Sequence, residues 1–200
     1  MDNVAEPTTR AMPRSTTGLG AASPGAMAGF DPAMHWHETL RDGAQVLIRP
    51  IHKDDAGMER AFIERLSPES REYRFLGHVA ISDELIRQMT DVDNEHDMAF
   101  VALRQDAGTK LEVGVARFYI AKDGASCECA VTVSDEWQHK GLGKLLMRHL
   151  IEVARQRGIR RMVSVDNAGN AAMHNLATSL GFQRKRDDQY PGEVVHTLDL

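Results

Sequence analysis

The run Gln138-His139-Lys140-Gly141-Leu142-Gly143-Lys144 sets two glycines two apart, just where an amphipathic pattern begins. Glycine weakens a helix by roughly 1 kcal/mol relative to alanine, so its use there needs another reason. A bound anion is one such reason. The first N–H groups of a helix have no partner inside it, and together they carry about half a positive charge. Without Cβ atoms a phosphate can approach the backbone, and Lys140 and Lys144 add positive charge. A tight strand-to-helix turn that binds nothing is the other reading. The longer phosphate loop ending in GK[ST] is absent, and so is the last glycine of a dinucleotide fingerprint.

Glu128 is the second candidate. It is the one charged residue in a run of Cys, Ala, Val and Thr. Strand alternation puts it on the face of Ala130 and Thr132, opposite Cys127 and Cys129. It could work as a general base, or it could pair with Arg117 on the neighbouring strand. The two cysteines, i and i+2 on one strand face, are poorly placed for a disulfide. No further Cys or His stands at metal-ligand spacing, so no metal is expected, and buried reduced thiols fit a cytoplasmic setting.

The elements that must position these residues follow from periodicity and punctuation. Residues 46–48 read as a strand stopped by Pro50. Asp54 or Asp55 can cap a helix carrying Met58, Phe62, Ile63 and Leu66. Ser67 followed by Pro68 opens a second helix, and Ser82 a third. Strands over 98–103, 111–120 and 126–134, joined by turns, make an antiparallel meander. A 3.6-residue period follows through Leu145, Leu146, His149, Leu150, Val153 and Ala154, and ends at Gly158. A strand over 160–165 then returns parallel to its predecessor, because a helix separates the two. A helix over 171–180 and two last strands, about 182–186 and 193–200, complete the chain. The fold class is therefore α+β: a mixed, mostly antiparallel central sheet with one parallel strand pair, flanked by helices.

The Gly-, Ala-, Ser-, Thr- and Pro-rich segment 1–38 reads as a flexible tail before a domain over 39–200, with His35-Trp36-His37 at the junction. The 24 Lys and Arg against 29 Asp and Glu leave a formal charge of −5, which argues against a nucleic-acid partner and suits a basic one. No run reaches membrane-spanning length, and the N-terminus lacks the apolar region of a signal peptide.

Gln138-His139-Lys140-Gly141-Leu142-Gly143 matches the Q/R-x-x-G-x-G/A signature of the GNAT superfamily of acyl-CoA-dependent N-acyltransferases. Asn170 with Leu180-Gly181-Phe182 matches a second feature of that family. The resemblance spans about 45–200. It implies the GNAT fold, with the parallel pair splayed at a cofactor cleft, and acetyl-CoA as co-substrate. It places the pyrophosphate on the amides of 138–144 (Gln138, His139, Lys140, Gly141, Leu142, Gly143, Lys144), the pantetheine arm beside Val131, Thr132 and Val133, and Asn170 on the other side. The segments RLSPESREYRF, MTDVDNEHDMAFVAL and CECAVTVSDEWQHKGLG further resemble the acetyltransferase domain of bacterial protein-lysine acetyltransferases. By that likeness Glu128 is the general base and the acceptor is an amine, a protein lysine such as one on an acyl-CoA synthetase. A small-molecule amine, or no acceptor in an acyl-CoA sensor, are the rival readings. Monomer and homodimer both stay open.

One departure stands out: the tyrosine that many members place seven residues after the Asn is Ala177 here, so no general acid is assigned. Tyr119 and Tyr190 are unsupported substitutes. His139 reads as a loop side chain flanking phosphate, and His174 as an ordinary helix residue. Arg71 and Arg74 border the expected acceptor entrance or serve in ion pairs. Asp91, Asp93, Glu95 and Asp97 read as a solvated acidic turn.

Overall fold

A computed structural model describes residues 34–94, 96–106, 109–186 and 190–200, the side chains of 105, 106 and 109 excepted. The expected tail lies outside the described residues as far as 33. The sheet begins earlier than the expected boundary at 39. β1 (Trp36–Thr39) pairs antiparallel with β2 (Gln45–Pro50). Trp36 explains it: its ring stacks on His149 at 4.1 Å and meets Phe100 edge-on at 5.2 Å. One apolar residue in a four-residue strand leaves too weak a pattern to read from the sequence.

The chain continues through a short 3-10 turn into α1 (Ala56–Arg65), then α2 (Pro68–Phe75) and α3 (Asp83–Thr90). Next come β3 (Asp97–Asp106), β4 (Thr109–Ile120) and β5 (Ser126–Val133). They are followed by α4 (Leu142–Gln156), β6 (Arg161–Asn167), α5 (Ala171–Ser179), β7 (Gln183–Arg186) and β8 (Glu193–Asp199). The sheet order is β1-β2-β3-β4-β5-β6-β8-β7. Among the described residues only β5 and β6 run parallel, as the intervening helix requires. Among the described residues no helix is long and apolar enough to cross a membrane.

Helices cover both faces. α4 and α5 pack on one core containing Phe100, Phe118, Leu146, Met147, Leu150 and Ala177. The other holds Phe62, Ile63, Ile86, Met89, Val101 and Val115 from α1, α3 and the strands. Each large side chain buried this way contributes about 1.5–3 kcal/mol. A β-bulge interrupts the β3–β4 register between Ala102 and Leu103. Beside it Gly114 lets α4 lie close to the sheet. A Cβ there would come within 3.1 Å of Leu146, 3.3 Å of Leu142 and 3.3 Å of the Thr132 carbonyl.

Cys127 and Cys129 are free and buried in the α4–α5 core. Burial pushes the Cys127 thiol up to about 12 and the Cys129 thiol well above its usual range. Both are therefore packing groups, not nucleophiles. On the opposite face Arg117 is buried and lies 3.5 Å from buried Glu59. Its Nη1 also donates to the Met89 carbonyl and to the Tyr119 hydroxyl, each at 3.1 Å. The expected alternative for Glu128 thus falls away, because Arg117 already has its carboxylate. Asp55 is likewise no side-chain cap for α1. Its carboxylate takes two hydrogen bonds from Arg49, at 2.6 and 2.7 Å, and one from the His52 amide.

Candidate functional site

β5 and β6 are paired only over Ser126↔Arg161, Cys127↔Met162 and Glu128↔Val163. Beyond that point β5 stays with β4 as far as Val133, while β6 stays with β8 as far as Asn167. The two strands part, so β5 from Cys129 onward has a ladder partner on one side only. Every second N–H and C=O there turns toward the opening.

The opening is a cleft of about 570 Å³. β5 lines it with Ala130–Val133, β6 with Val165 and Asp166, and α5 with its cap Asn170 and with Leu176. Of the residues expected at the cofactor, Val131, Thr132, Val133, Gln138, His139, Gly141, Leu142, Gly143, Lys144 and Asn170 all line it. The Thr132 hydroxyl is buried there without a hydrogen-bond partner among the described residues. Such a group stabilises the fold only when something pairs with it.

The α4 end of the cleft is built to leave amides open. Gly141 is the N-cap residue at φ 94°, a conformation that costs other residues strain. His139 also has a positive φ, 61°. Among the described residues no side chain caps α4, and its first turn holds no acidic residue. The loop before it is held from α2. Asp135 accepts from the Ser67 amide (2.9 Å), the Ser67 hydroxyl (2.7 Å) and the Ser70 hydroxyl (2.7 Å). Burial pushes the Asp135 carboxyl up, but these three bonds outweigh it and hold it below the ordinary range. The Gln138 amide donates to Ser70 and to the Val133 carbonyl, both at 3.3 Å. The motif glutamine therefore serves as a brace between loop, strand and α2.

Two of the expected residues stand elsewhere. Lys140 does not line the cleft: its ammonium is 3.0 Å from Asp42 and sits over the Trp137 ring, 4.9 Å from the centroid. An ion pair plus an aromatic face holds the cation away from the loop amides. Glu128 is not a wall of the cleft. It lies at the vertex, the last β5 residue paired with β6, with Tyr119 as its cross-strand neighbour. It is exposed, although the strand around it is made of Cys, Ala, Val and Thr.

Sequence reasoning did not single out Arg41, Tyr73 or Asp166, all in the cleft wall, nor the anchoring role of Asp135. Arg74 also lines the cleft, and burial, with Arg117 nearby, pushes its guanidinium down to about 10. Arg71 donates to the Glu64 and Leu66 carbonyls instead, a structural role. At the position of the absent family tyrosine, Ala177 is fully buried in the core.

The model of the Acetyltransferase (GNAT) family matches residues 60–182, more than half of the chain. An acetyltransferase of Pseudomonas aeruginosa is 48% identical over 167 residues, covering 83% of this chain and 90% of the relative. An L-methionine sulfoximine/L-methionine sulfone acetyltransferase of the same organism is 45% identical over 56 residues, 28% of this chain and 33% of its own length. Among solved structures, the GNAT domain of S. lividans PAT is 28% identical. It covers 86% of this chain and 100% of that one, with a TM-score of 0.78.

Proposed function

The chain belongs to the acetyltransferase (GNAT) family, and on that premise we propose that it is an acetyl-CoA-dependent N-acetyltransferase in which Glu128 is the general base. The observation that carries the reading is the uncapped α4 N-terminus opening onto the gap between β5 and β6. Acetyl-CoA, when bound, supplies an acetyl group activated as a thioester.

The amides of 139–144 hold its pyrophosphate, with Gly141 and Gly143 giving access, while the Gln138 backbone amide is held by the Asp135 carbonyl at 3.3 Å. The unpaired edge of Val131–Val133 holds the pantetheine arm as an added strand would, and Asn170 faces it from α5. Asn170 has its own task, since its side-chain oxygen accepts from the Met173 amide at 3.0 Å. Backbone amides near the vertex polarise the carbonyl.

An amine acceptor arrives as an ammonium and cannot attack until it loses a proton. At pH 7 that costs about 4–5 kcal/mol for an ordinary lysine. Glu128 takes the proton, directly or through water, and its exposure lets it pass the proton to solvent. Ala177 offers none in return, so water protonates the leaving thiolate.

The resemblance of the segments RLSPESREYRF, MTDVDNEHDMAFVAL and CECAVTVSDEWQHKGLG to protein-lysine acetyltransferase domains supports a protein lysine as acceptor. The 56-residue match to an L-methionine sulfoximine/L-methionine sulfone acetyltransferase favours a second reading, a small amino-acid-like amine. The buried, protonated thiols accord with a cytoplasmic setting. Labelled acetyl-CoA offered with proteins, peptides and small amines separates the readings. Binding without any labelled product would leave only a sensor. Glu128→Gln should keep acetyl-CoA affinity and lower kcat by about 100-fold or more. Unchanged turnover at every pH would assign the base elsewhere.

A further inference from the structure

The turn between β1 and β2 reaches the mouth of the cleft, and it lies outside the segment that matches the family model. Its backbone is tied to the glycine loop: the Arg41 amide donates to the Lys140 carbonyl at 3.2 Å. The Arg41 side chain lies over Gly141. Its Nε, Cγ and Cδ are 3.5, 3.7 and 3.8 Å from where a Cβ would stand. Arg41 lines the cleft, and its guanidinium has no hydrogen bond or ion pair among the described residues. The next residue, Asp42, pairs with Lys140 and keeps that lysine out. The hairpin is itself fixed to α4. His149 is bonded to Glu38 at 2.8 Å and stacks on Trp36.

We infer that Arg41, not Lys140, is a side-chain cation that grips a phosphate of the bound acyl-CoA at the α4 N-terminus, where the Lys144 ammonium already donates to the Ser179 carbonyl at 3.2 Å. This inference rests on the cofactor reading above. The chemistry favours the exchange. A guanidinium offers a planar fork of donors that meets two phosphate oxygens at once, whereas an ammonium already paired with a carboxylate must give that partner up. Ordering one exposed arginine beside amides already aimed at the anion adds a charge-assisted contact to a preformed site. The phosphate is either the pyrophosphate or the 3′-phosphate of the nucleotide, since both are phosphate esters of the same ligand.

The test is equilibrium binding of acetyl-CoA, S-acetyl-3′-dephospho-CoA and S-acetylpantetheine to the full chain, wild type and variant, the last ligand at millimolar concentration. Arg41→Ala should weaken acetyl-CoA by about 10–100-fold, the worth of one hydrogen-bonded charge contact. Its deficit should exceed that of Lys140→Ala at least about threefold, and should shrink as salt rises. With S-acetylpantetheine, which carries no phosphate, wild type and Arg41→Ala should bind alike. A deficit retained with the 3′-dephospho ligand assigns Arg41 to the pyrophosphate, and a deficit lost there assigns it to the 3′-phosphate. Equal acetyl-CoA affinity in wild type and Arg41→Ala overturns the inference. So does a deficit that persists with S-acetylpantetheine, or a larger deficit in Lys140→Ala. Failure of the wild type to bind acetyl-CoA at all overturns the cofactor reading instead.

Discussion

α4 and α5 border the same cleft and begin in opposite ways. α5 is closed by its own chain, with Asn170 accepting from the Met173 amide. α2 and α3 are closed likewise, by Ser67 and Ser82. α4 starts on Gly141, with no side-chain cap. A side-chain cap is worth about 1 kcal/mol, so an uncapped 15-residue helix forgoes stability that its neighbours keep. The difference teaches where the chain has left room for a partner: α2, α3 and α5 are closed by side chains, α1 runs on from the 3-10 turn, where the Ala56 amide donates to the Lys53 carbonyl, and α4 presents its first donors to the cleft.

Gly141→Asp should break that contrast most severely. It sets a carboxylate where the phosphate belongs, and acetyl-CoA affinity measured by calorimetry should fall by about 100-fold or more, since several charge-assisted bonds are at stake. Unchanged affinity would remove the loop from the site. Gly114→Ala comes next, because α4 can present its end only while it lies close to the sheet. The new methyl meets Leu146, Leu142 and the Thr132 backbone, and overpacking of this kind costs about 1–3 kcal/mol in chemical denaturation.

Asn170→Ala removes a cap α5 relies on and should cost about 1 kcal/mol, seen as a fall of about 2–4 °C in Tm. If the same change also weakens acetyl-CoA binding, Asn170 serves both the helix and the ligand. The smallest effect concerns pH. The bonds to Ser67 and Ser70 hold the Asp135 carboxyl below its unfolded value, so they stabilise the fold above the ordinary carboxylate pKa of about 3.9. That contribution fades as pH falls through the lower, folded value. Asp135→Asn should therefore flatten the acid side of the stability profile, by about 1 kcal/mol or less for so exposed a group.

Legibility in the sequence followed the range of the interaction. Ser67, Ser82 and Gly158 could be read because caps and stops act within a few residues. The crossover between β5 and β6 could be read because a helix between two strands forces them parallel. β1 could not, since Trp36 is its one strong apolar signal and its partners are Phe100 and His149, far along the chain. The brace of Asp135 on Ser67 spans 68 residues, and nothing local marks it. Lys140 misled for the same reason: the motif's spacing puts it beside the amides, while Asp42 turns it away.

By itself, then, the sequence determined the helix ends marked by Ser67, Ser82 and Gly158, the strand order through the meander, the glycine loop and the place of Glu128 on β5, because these depend on neighbours or on period. Tertiary structure alone decided that β5 and β6 part after three paired residues, and that Glu128 stands exposed at the vertex and not in an apolar wall. It also decided that Arg41 and Lys144 line the cleft while Lys140 is drawn to Asp42. Ladder length, burial and charge pairing all depend on residues the chain brings together only when folded, and no spacing along the sequence records them.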